Sequence, residues 1–157
     1  MIDPALFRSI LGRFAAGVTV VTARDEKGHD HGMTVSAFCS LSLDPTLVLV
    51  CIERQTEMHG ILEHATHFAV NMLSAAQESI SRRFAEQMED RFDGVGYTRG
   101  VTGLVLLEGI LAYLECRLVA RHAGGDHTIV VGEVIAGEAF AERPLLYYRG
   151  GYAQLER

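Results

Sequence analysis

The sequence predicts a mainly β chain of the α+β class, a closed antiparallel barrel with a few peripheral helices, and three observations lead there. Short β-branched or apolar runs recur along the chain, turn residues separate them at short intervals, and helical spacing is confined to brief segments. Closing such a sheet removes exposed strand edges, which favours a barrel over a doubly wound sheet. The 157 residues fit a single domain over 1–157, long enough to bury roughly 70% of its unfolded surface without metal or disulfide support. There is no internal repeat or linker.

Asp3-Pro4 sets a side-chain acceptor before a residue of fixed φ, and Phe7, Ile10, Leu11 and Phe14 follow at helical spacing, so an amphipathic helix opens the chain. Gly17 ends that pattern. Val18 to Thr22 is β-branched throughout and runs into a turn at Asp25-Glu26-Lys27-Gly28, with His31 to Val35 returning as the second strand of a hairpin. Phe38 to Leu43 and Leu47 to Ile52 read as two further strands separated by the turn dipeptide Asp44-Pro45. Thr56 caps a short helix through Leu62, Phe68 to Met72 is a strand, and Ser74 caps a second helix through Phe84. The charged, glycine-rich run from Glu86 to Gly103 reads as a surface loop that adds nothing to the core. Leu104 to Arg121 and His127 to Val134 are long strands joined through Ala123-Gly124-Gly125-Asp126, and Leu145 to Tyr148 supplies the last.

Composition narrows the function. The net charge is −6 and Lys27 is the sole lysine, so the clustered cations that neutralise nucleic-acid phosphates are missing. No basic run precedes an apolar segment at the N-terminus and no window approaches a membrane span, which predicts a protein free of both secretion and membrane. Cys39, Cys51 and Cys116 lie far apart among small or apolar neighbours and read as reduced, core-facing thiols of a cytoplasmic protein.

The segment from Gly32 to Pro45 carries Thr34, Ser36, Ser40 and Ser42 along backbone that otherwise reads as buried strand. A buried hydroxyl needs a partner, so these four suggest a polar ligand against the core, with a flavin mononucleotide-type molecule as the leading candidate. An edge strand with solvated hydroxyls fits the same pattern. In Ser81-Arg82-Arg83-Phe84 an arginine can offer a fork of donors to a phosphate, or simply lie solvated at a helix C-terminus. Gly125-Asp126-His127-Thr128 puts an imidazole at a strand start, where it can orient a second ligand or serve the fold alone. Tyr147-Tyr148-Arg149-Gly150-Gly151-Tyr152 offers an aromatic wall with a cation, or ordinary packing. Gly94-Val95-Gly96 lacks the later glycine of a dinucleotide fingerprint, there is no phosphate loop, and His59, His64 and His67 have no accompanying cysteine pair, so no metal site is expected.

Taken together, Gly32-Met33-Thr34-Val35-Ser36-Ala37-Phe38 with Ser40 to Pro45, then Gly125-Asp126-His127 with Gly132 and Val134, then Tyr148-Arg149-Gly150, resemble the short-chain flavin reductases. The Phe14 to Thr22 opening is similar to theirs too, so the likeness covers nearly the whole chain. This family, with its FMN-binding split barrel, includes the reductase components of two-component flavin monooxygenases. The resemblance implies a homodimer of split barrels with FMN or FAD near the subunit interface and NADH or NADPH as reductant. Met33, Thr34, Val35, Ser36, Ala37, Ser40 and Leu41 would contact the flavin. Cys51, Ile52, Glu53, Arg54, Gln55 and Thr56 would line its nucleotide side. Ser81, Arg83 and Phe84 would hold the phosphate end. His127, as the histidine of the catalytic site, would meet the nicotinamide nucleotide with Asp126, Tyr148 and Arg149. Hydride would pass from nicotinamide C4 to flavin N5, and reduced flavin would leave for a separate monooxygenase component. A barrel that binds flavin without turnover is the alternative. One departure is Leu104, where the family often has proline after the glycine.

Overall fold

β-branched residues set the first hairpin of the computed structural model, which describes residues 1–156. After α1 (Pro4–Leu11) and a short β1 (Ala16–Gly17), β2 (Thr19–Arg24) pairs antiparallel with β3 (Asp30–Val35), Val20 opposite Thr34. Gly28, at φ 83°, takes the turn between them, a conformation that costs a side chain-bearing residue energy. β4 (Phe38–Leu43) and β5 (Thr46–Glu53) follow around Asp44-Pro45, then α2 (Glu57–Leu62) and β6 (His67–Met72). The Thr56 hydroxyl caps α2 by accepting from His59 N at 3.3 Å. Ser74 opens a single 3-10 turn, Ala75–Gln77, that leads into α3 (Glu78–Ala85), and the Gln77 side chain accepts from Ser74 N at 3.0 Å.

The rest of the chain is β7 (Tyr97–Arg99), β8 (Val105–Leu107), β9 (Ala112–Gly124), β10 (His127–Ala139), β11 (Leu145–Tyr148) and β12 (Gly151–Gln154). Seven strands form one antiparallel sheet in the order β3-β2-β6-β9-β10-β5-β4, with β1-β11-β12 and β7-β8 as smaller sheets. The mainly β, antiparallel expectation holds, but hydrogen bonds do not close the large sheet, because among the described residues β3 pairs with β2 alone and β4 with β5 alone. Covalent connectivity rolls it instead. The two edge strands are consecutive in the chain, joined by Ser36 and Ala37, and that link spans only about 10 Å whereas seven flat strands would be about 29 Å wide. The rolled sheet encloses Val21, Val50, Ile52, Phe68, Val70 and Val130, from four strands, each burial contributing roughly 1.5–3 kcal/mol.

Three expectations need correction, and one helix that forms as expected is left uncovered. α1 forms but buries none of its residues: Leu6, Phe7, Ile10 and Leu11 are about half exposed, and Phe14 just beyond is 80% exposed. The run from Leu104 to Arg121 is two strands, because Gly109 turns at φ 74° and the Glu115 side chain, 0% exposed, gathers the 100–103 turn onto β9. Its carboxylate accepts from Val101 N at 3.2 Å, Thr102 N at 2.9 Å and the Thr102 hydroxyl at 2.5 Å, which satisfies the buried charge. The 86–103 segment does enter the core, since Phe92 packs edge-on against Phe84 at 5.1 Å and Val95 joins the same cluster. Of the cysteines, Cys116 alone is core, its thiol pushed up to about 12 by burial, while Cys39 is exposed and Cys51 half-buried. β1 and β12 had no sequence signal of their own. The turn joining β11 to β12 uses Arg149 and Gly150, both at positive φ, the form a two-residue hairpin favours.

Candidate functional site

β5 runs past two cavities of different character, and β3 leads from one of them to the Ser36-Ala37 link that borders the other. Ser36, Ala37, Cys39, Leu49 and Cys51 line the first, about 620 Å³, together with Phe14, Val18, Leu73 and Leu145 from the other sheet and its approaches. Strand alternation explains the wall: Phe38 and Val50 face the core as a pair, so the flanking Ala37, Cys39, Leu49 and Cys51 turn outward on one face. Burial, with Cys39 nearby, raises the Cys51 thiol above its ordinary value, which keeps it neutral.

The second cavity, about 550 Å³, is lined by His31, Gly32 and Met33 of β3, by Glu53 and the run from Gln55 to Met58, and across the top by Phe84, Ala85, the run from Gln87 to Glu89, and Arg91. It adjoins a wider recess of about 1330 Å³ that shares His31, Gly32, Glu57 and Arg91 with it. Gly32 is needed there, because a Cβ would lie 2.8 Å from the Phe84 ring and 3.1 Å from Phe92. His31 is held between Asp25, at 3.0 Å, and Glu57, at 3.5 Å, and the hydrogen bond from His31 holds the Asp25 carboxyl well below the usual carboxylate range.

The sequence-expected residues divide between these places. Met33, Glu53, Gln55, Thr56 and Phe84 border the polar cavity, and Ser36, Ala37 and Cys51 border the apolar one. Val35 and Ile52 point into the core. The hydroxyl-bearing strand is not buried, because β4 is a sheet edge: Ser40 and Leu41 are exposed along it and Leu43 is 89% exposed. Thr34 donates its hydroxyl to Ser81 O at 2.6 Å, and Ser81 Oγ lies 2.7 Å from the Tyr152 hydroxyl. Arg83 lines neither cavity and clamps a loop, donating from Nε to Arg91 O at 2.5 Å and from Nη2 to Asp90 O at 3.1 Å and Asp93 O at 2.7 Å.

At the β9–β10 turn the His127 backbone pairs with Glu53 of β5, and Arg54 N donates to Asp126 O at 2.9 Å, so the 53–56 segment and the Asp126-His127 turn meet. His127 Nδ1 sits 2.7 Å from Asp126 Oδ1; that hydrogen bond lowers the Asp126 carboxyl and leaves Nε2 at the free end of the ring. Tyr148 and Arg149 lie elsewhere. Their turn reaches the end of α1, where Arg149 N donates to Gly12 O at 2.8 Å.

Sequence reasoning missed Arg91. Its Nη1 donates to Gly32 O at 2.7 Å, and its Nε is buried with no partner. The available signal was Phe92, an aromatic anchor beside a cation inside a run otherwise read as solvated loop.

The flavin reductase like domain family matches residues 11–156. The reductase subunit HsaB of a flavin-dependent monooxygenase from Rhodococcus jostii (strain RHA1) is 40% identical over 156 residues, covering 99% of this chain and 80% of that protein. A flavin reductase (NADH) from Kitasatospora aureofaciens is 42% identical over 158 residues, covering 98% and 83%. Among solved structures, the NADH:FAD oxidoreductase SgcE6 of Streptomyces globisporus C-1027, in complex with NAD and FAD fragments, superposes with a TM-score of 0.93 at 38% identity, covering 99% of this chain and 96% of that one.

Proposed function

Given that the chain belongs to the flavin reductase like domain family, we propose that its apolar cavity receives a flavin ring and its polar cavity the ribityl and phosphate tail. The protein is an NAD(P)H-dependent flavin reductase, and the flavin supplies the hydride acceptor. The observation that carries the assignment is the continuity of the two walls: β5 borders both cavities, through Leu49 and Cys51 on the apolar side and Glu53 on the polar one, and β3 leads from Met33 at the polar cavity to the Ser36-Ala37 link at the apolar one. A flavin has the same polarity along its length, a flat ring at one end and an anion at the other.

Within this reading the chain binds, orients and excludes water. β3 is an edge strand whose Gly32 C=O is taken from the free side by Arg91, so by strand alternation Thr34 offers its backbone N–H and C=O on that side. Backbone donors there match the polar edge of the ring and stabilise negative charge on it. Val18, Leu49 and Leu73 keep water from the ring, and the outward thiol of Cys51, neutral because burial raises it, adds no competing charge. His127, oriented by Asp126 and adjacent to Glu53, is the residue proposed to position the nicotinamide nucleotide.

The same reading covers assembly and setting. A second copy of the chain would cover the exposed apolar residues of α1 with Phe14, and a homodimer is proposed on that ground. A split barrel closed beyond its hydrogen bonds, a cytoplasmic setting suited to three free cysteines, and a separate monooxygenase that takes up the reduced flavin belong to the proposal too. No helix in the described residues is long and apolar enough to cross a membrane. Mixing protein, FMN and NADH without oxygen tests the core of it: the visible band of oxidised flavin bleaches at a rate proportional to enzyme, and a band unchanged beyond the enzyme-free control rejects the assignment.

A further inference from the structure

We propose that Arg91 grips the phosphate at the end of the ribityl chain and thereby makes this enzyme select phosphorylated flavins, an inference that rests on the flavin reading above. Four observations converge. First, Arg91 is the one arginine or lysine lining the polar cavity among the described residues, and it shares that lining with three carboxylates, Glu53, Glu57 and Glu89. An anion can enter such a cavity only where a cation offsets those charges, and the other basic side chain there, His31, is already engaged by Asp25 and Glu57. Second, the guanidinium is held at one corner only: Nη1 donates to Gly32 O at 2.7 Å, while Nε is buried without an acceptor. A planar five-donor group fixed by one bond, whose Nη2 makes no hydrogen bond among the described residues, is suited to take oxygens from a phosphate.

Third, the neighbouring arginines are committed elsewhere. Arg83 spends Nε and Nη2 on three carbonyls of the 90–93 loop, one of them Arg91 O, and Arg82 pairs with Glu78 at 2.8 Å on the exposed face of α3. Arg83 thus acts as a positioning residue, setting the backbone from which Arg91 reaches. Fourth, Phe92 anchors that loop on Phe84 at 5.1 Å, directly beneath the Gly32 carbonyl strand, so the cation is carried on packed rather than free backbone. The group it would serve is a phosphate ester. Both FMN and FAD present one at the same point of the ribityl chain, and riboflavin presents none.

Equilibrium titrations of riboflavin, FMN and FAD by quenching of flavin fluorescence, on the wild-type protein and on Arg91→Gln and Arg91→Lys, test the assignment. The wild type should bind FMN at least tenfold more tightly than riboflavin. Arg91→Gln, whose amide can still donate to Gly32 O, should weaken FMN about ten- to a hundredfold and collapse the FMN-to-riboflavin ratio, with Arg91→Lys keeping part of it. Equal losses for FMN and FAD place the contact at the phosphate they share, and a loss for FAD alone places it at the second phosphate. An unchanged FMN-to-riboflavin ratio in Arg91→Gln, with wild-type flavin binding intact, overturns this assignment and leaves the flavin reading standing. A wild-type protein that binds none of the three overturns both. Riboflavin affinity and the thermal melting midpoint report whether each variant folds.

Discussion

The apolar and polar cavities beside β3 and β5 are built by opposite means. Strand faces wall the first: once Phe38 and Val50 face inward, Ala37, Cys39, Leu49 and Cys51 have no choice but to face out, and no loop is required to hold them. The second has strand on one side only, and its roof is the 85–93 segment, tied down by Arg83 through three carbonyls and by Arg91 through Gly32 O. The difference teaches that an apolar surface comes at no extra cost from a sheet's outer face, whereas a cation aimed into a cleft needs its own scaffold of hydrogen bonds. The ring end should therefore tolerate damage to the loop, and the tail end should not.

Removing the aromatic floor gives the largest test. Phe84→Ala leaves a cavity where a fully buried ring touches Gly32 and Phe92, at a cost of about 3–5 kcal/mol. Chemical denaturation measures it, and a loss under about 1 kcal/mol would mean that the loop does not depend on this packing. Arg83→Met comes next. It frees the 90–93 carbonyls from charged donors, with an expected loss of about 1.5–3 kcal/mol. FMN affinity should fall more than riboflavin affinity; an equal fall in both would show that the loop serves the ring end as well. Ala37→Glu attacks the other cavity, placing a carboxylate on an exposed position of the apolar wall. Riboflavin and FMN should weaken alike, by about tenfold or more, while melting stays near wild type.

Smaller effects sharpen the contrast at its edges. His127→Ala should raise the KM for NADH several-fold, with flavin affinity little changed, because the imidazole stands at the β9–β10 turn rather than in either cavity wall. Unaltered NADH kinetics would remove it from the site. Acid should loosen the loop side first. The Arg99 guanidinium, with Arg24, holds the Asp30 carboxyl below its ordinary value, so this contribution is present above the unfolded value of about 3.9 and is lost as pH falls through the folded one. After screening at this partly exposed pair the effect is about 0.5–1 kcal/mol. Asp30→Asn should flatten that limb of the stability profile, and a profile that keeps its slope would assign the acid sensitivity elsewhere.

Much of the scaffold was legible because its causes are local. Phe38–Leu43 matches the expected strand residue for residue, and Thr56 caps α2 as its hydroxyl and position suggest. The break before β9 was not legible, since it depends on Glu115 reaching a turn 13 and 14 residues away in the chain. The exposure of α1 escaped for a related reason: helical periodicity identifies an apolar face but says nothing about what covers it. At the site, the family motifs led to Met33, Ser36, Ala37, Cys51 and the 53–56 segment, which do border the cavities. Ser81-Arg82-Arg83-Phe84 was singled out to hold the phosphate end, and its serine, second arginine and phenylalanine turn instead to Tyr152, to loop carbonyls and to the core.

By itself the sequence determined most of the strands and the turns between them, because steric preference and two-residue alternation act between near neighbours. Only the tertiary structure decided which arginine is left with a donor to spare. Arg91 and Gly32 are 59 residues apart, and no spacing rule along the chain encodes that Arg83 is satisfied by carbonyls while Arg91 is not. Hydrogen-bond satisfaction is settled by distance through space once the sheet has rolled, which is why the scaffold could be read in order and the cation could not.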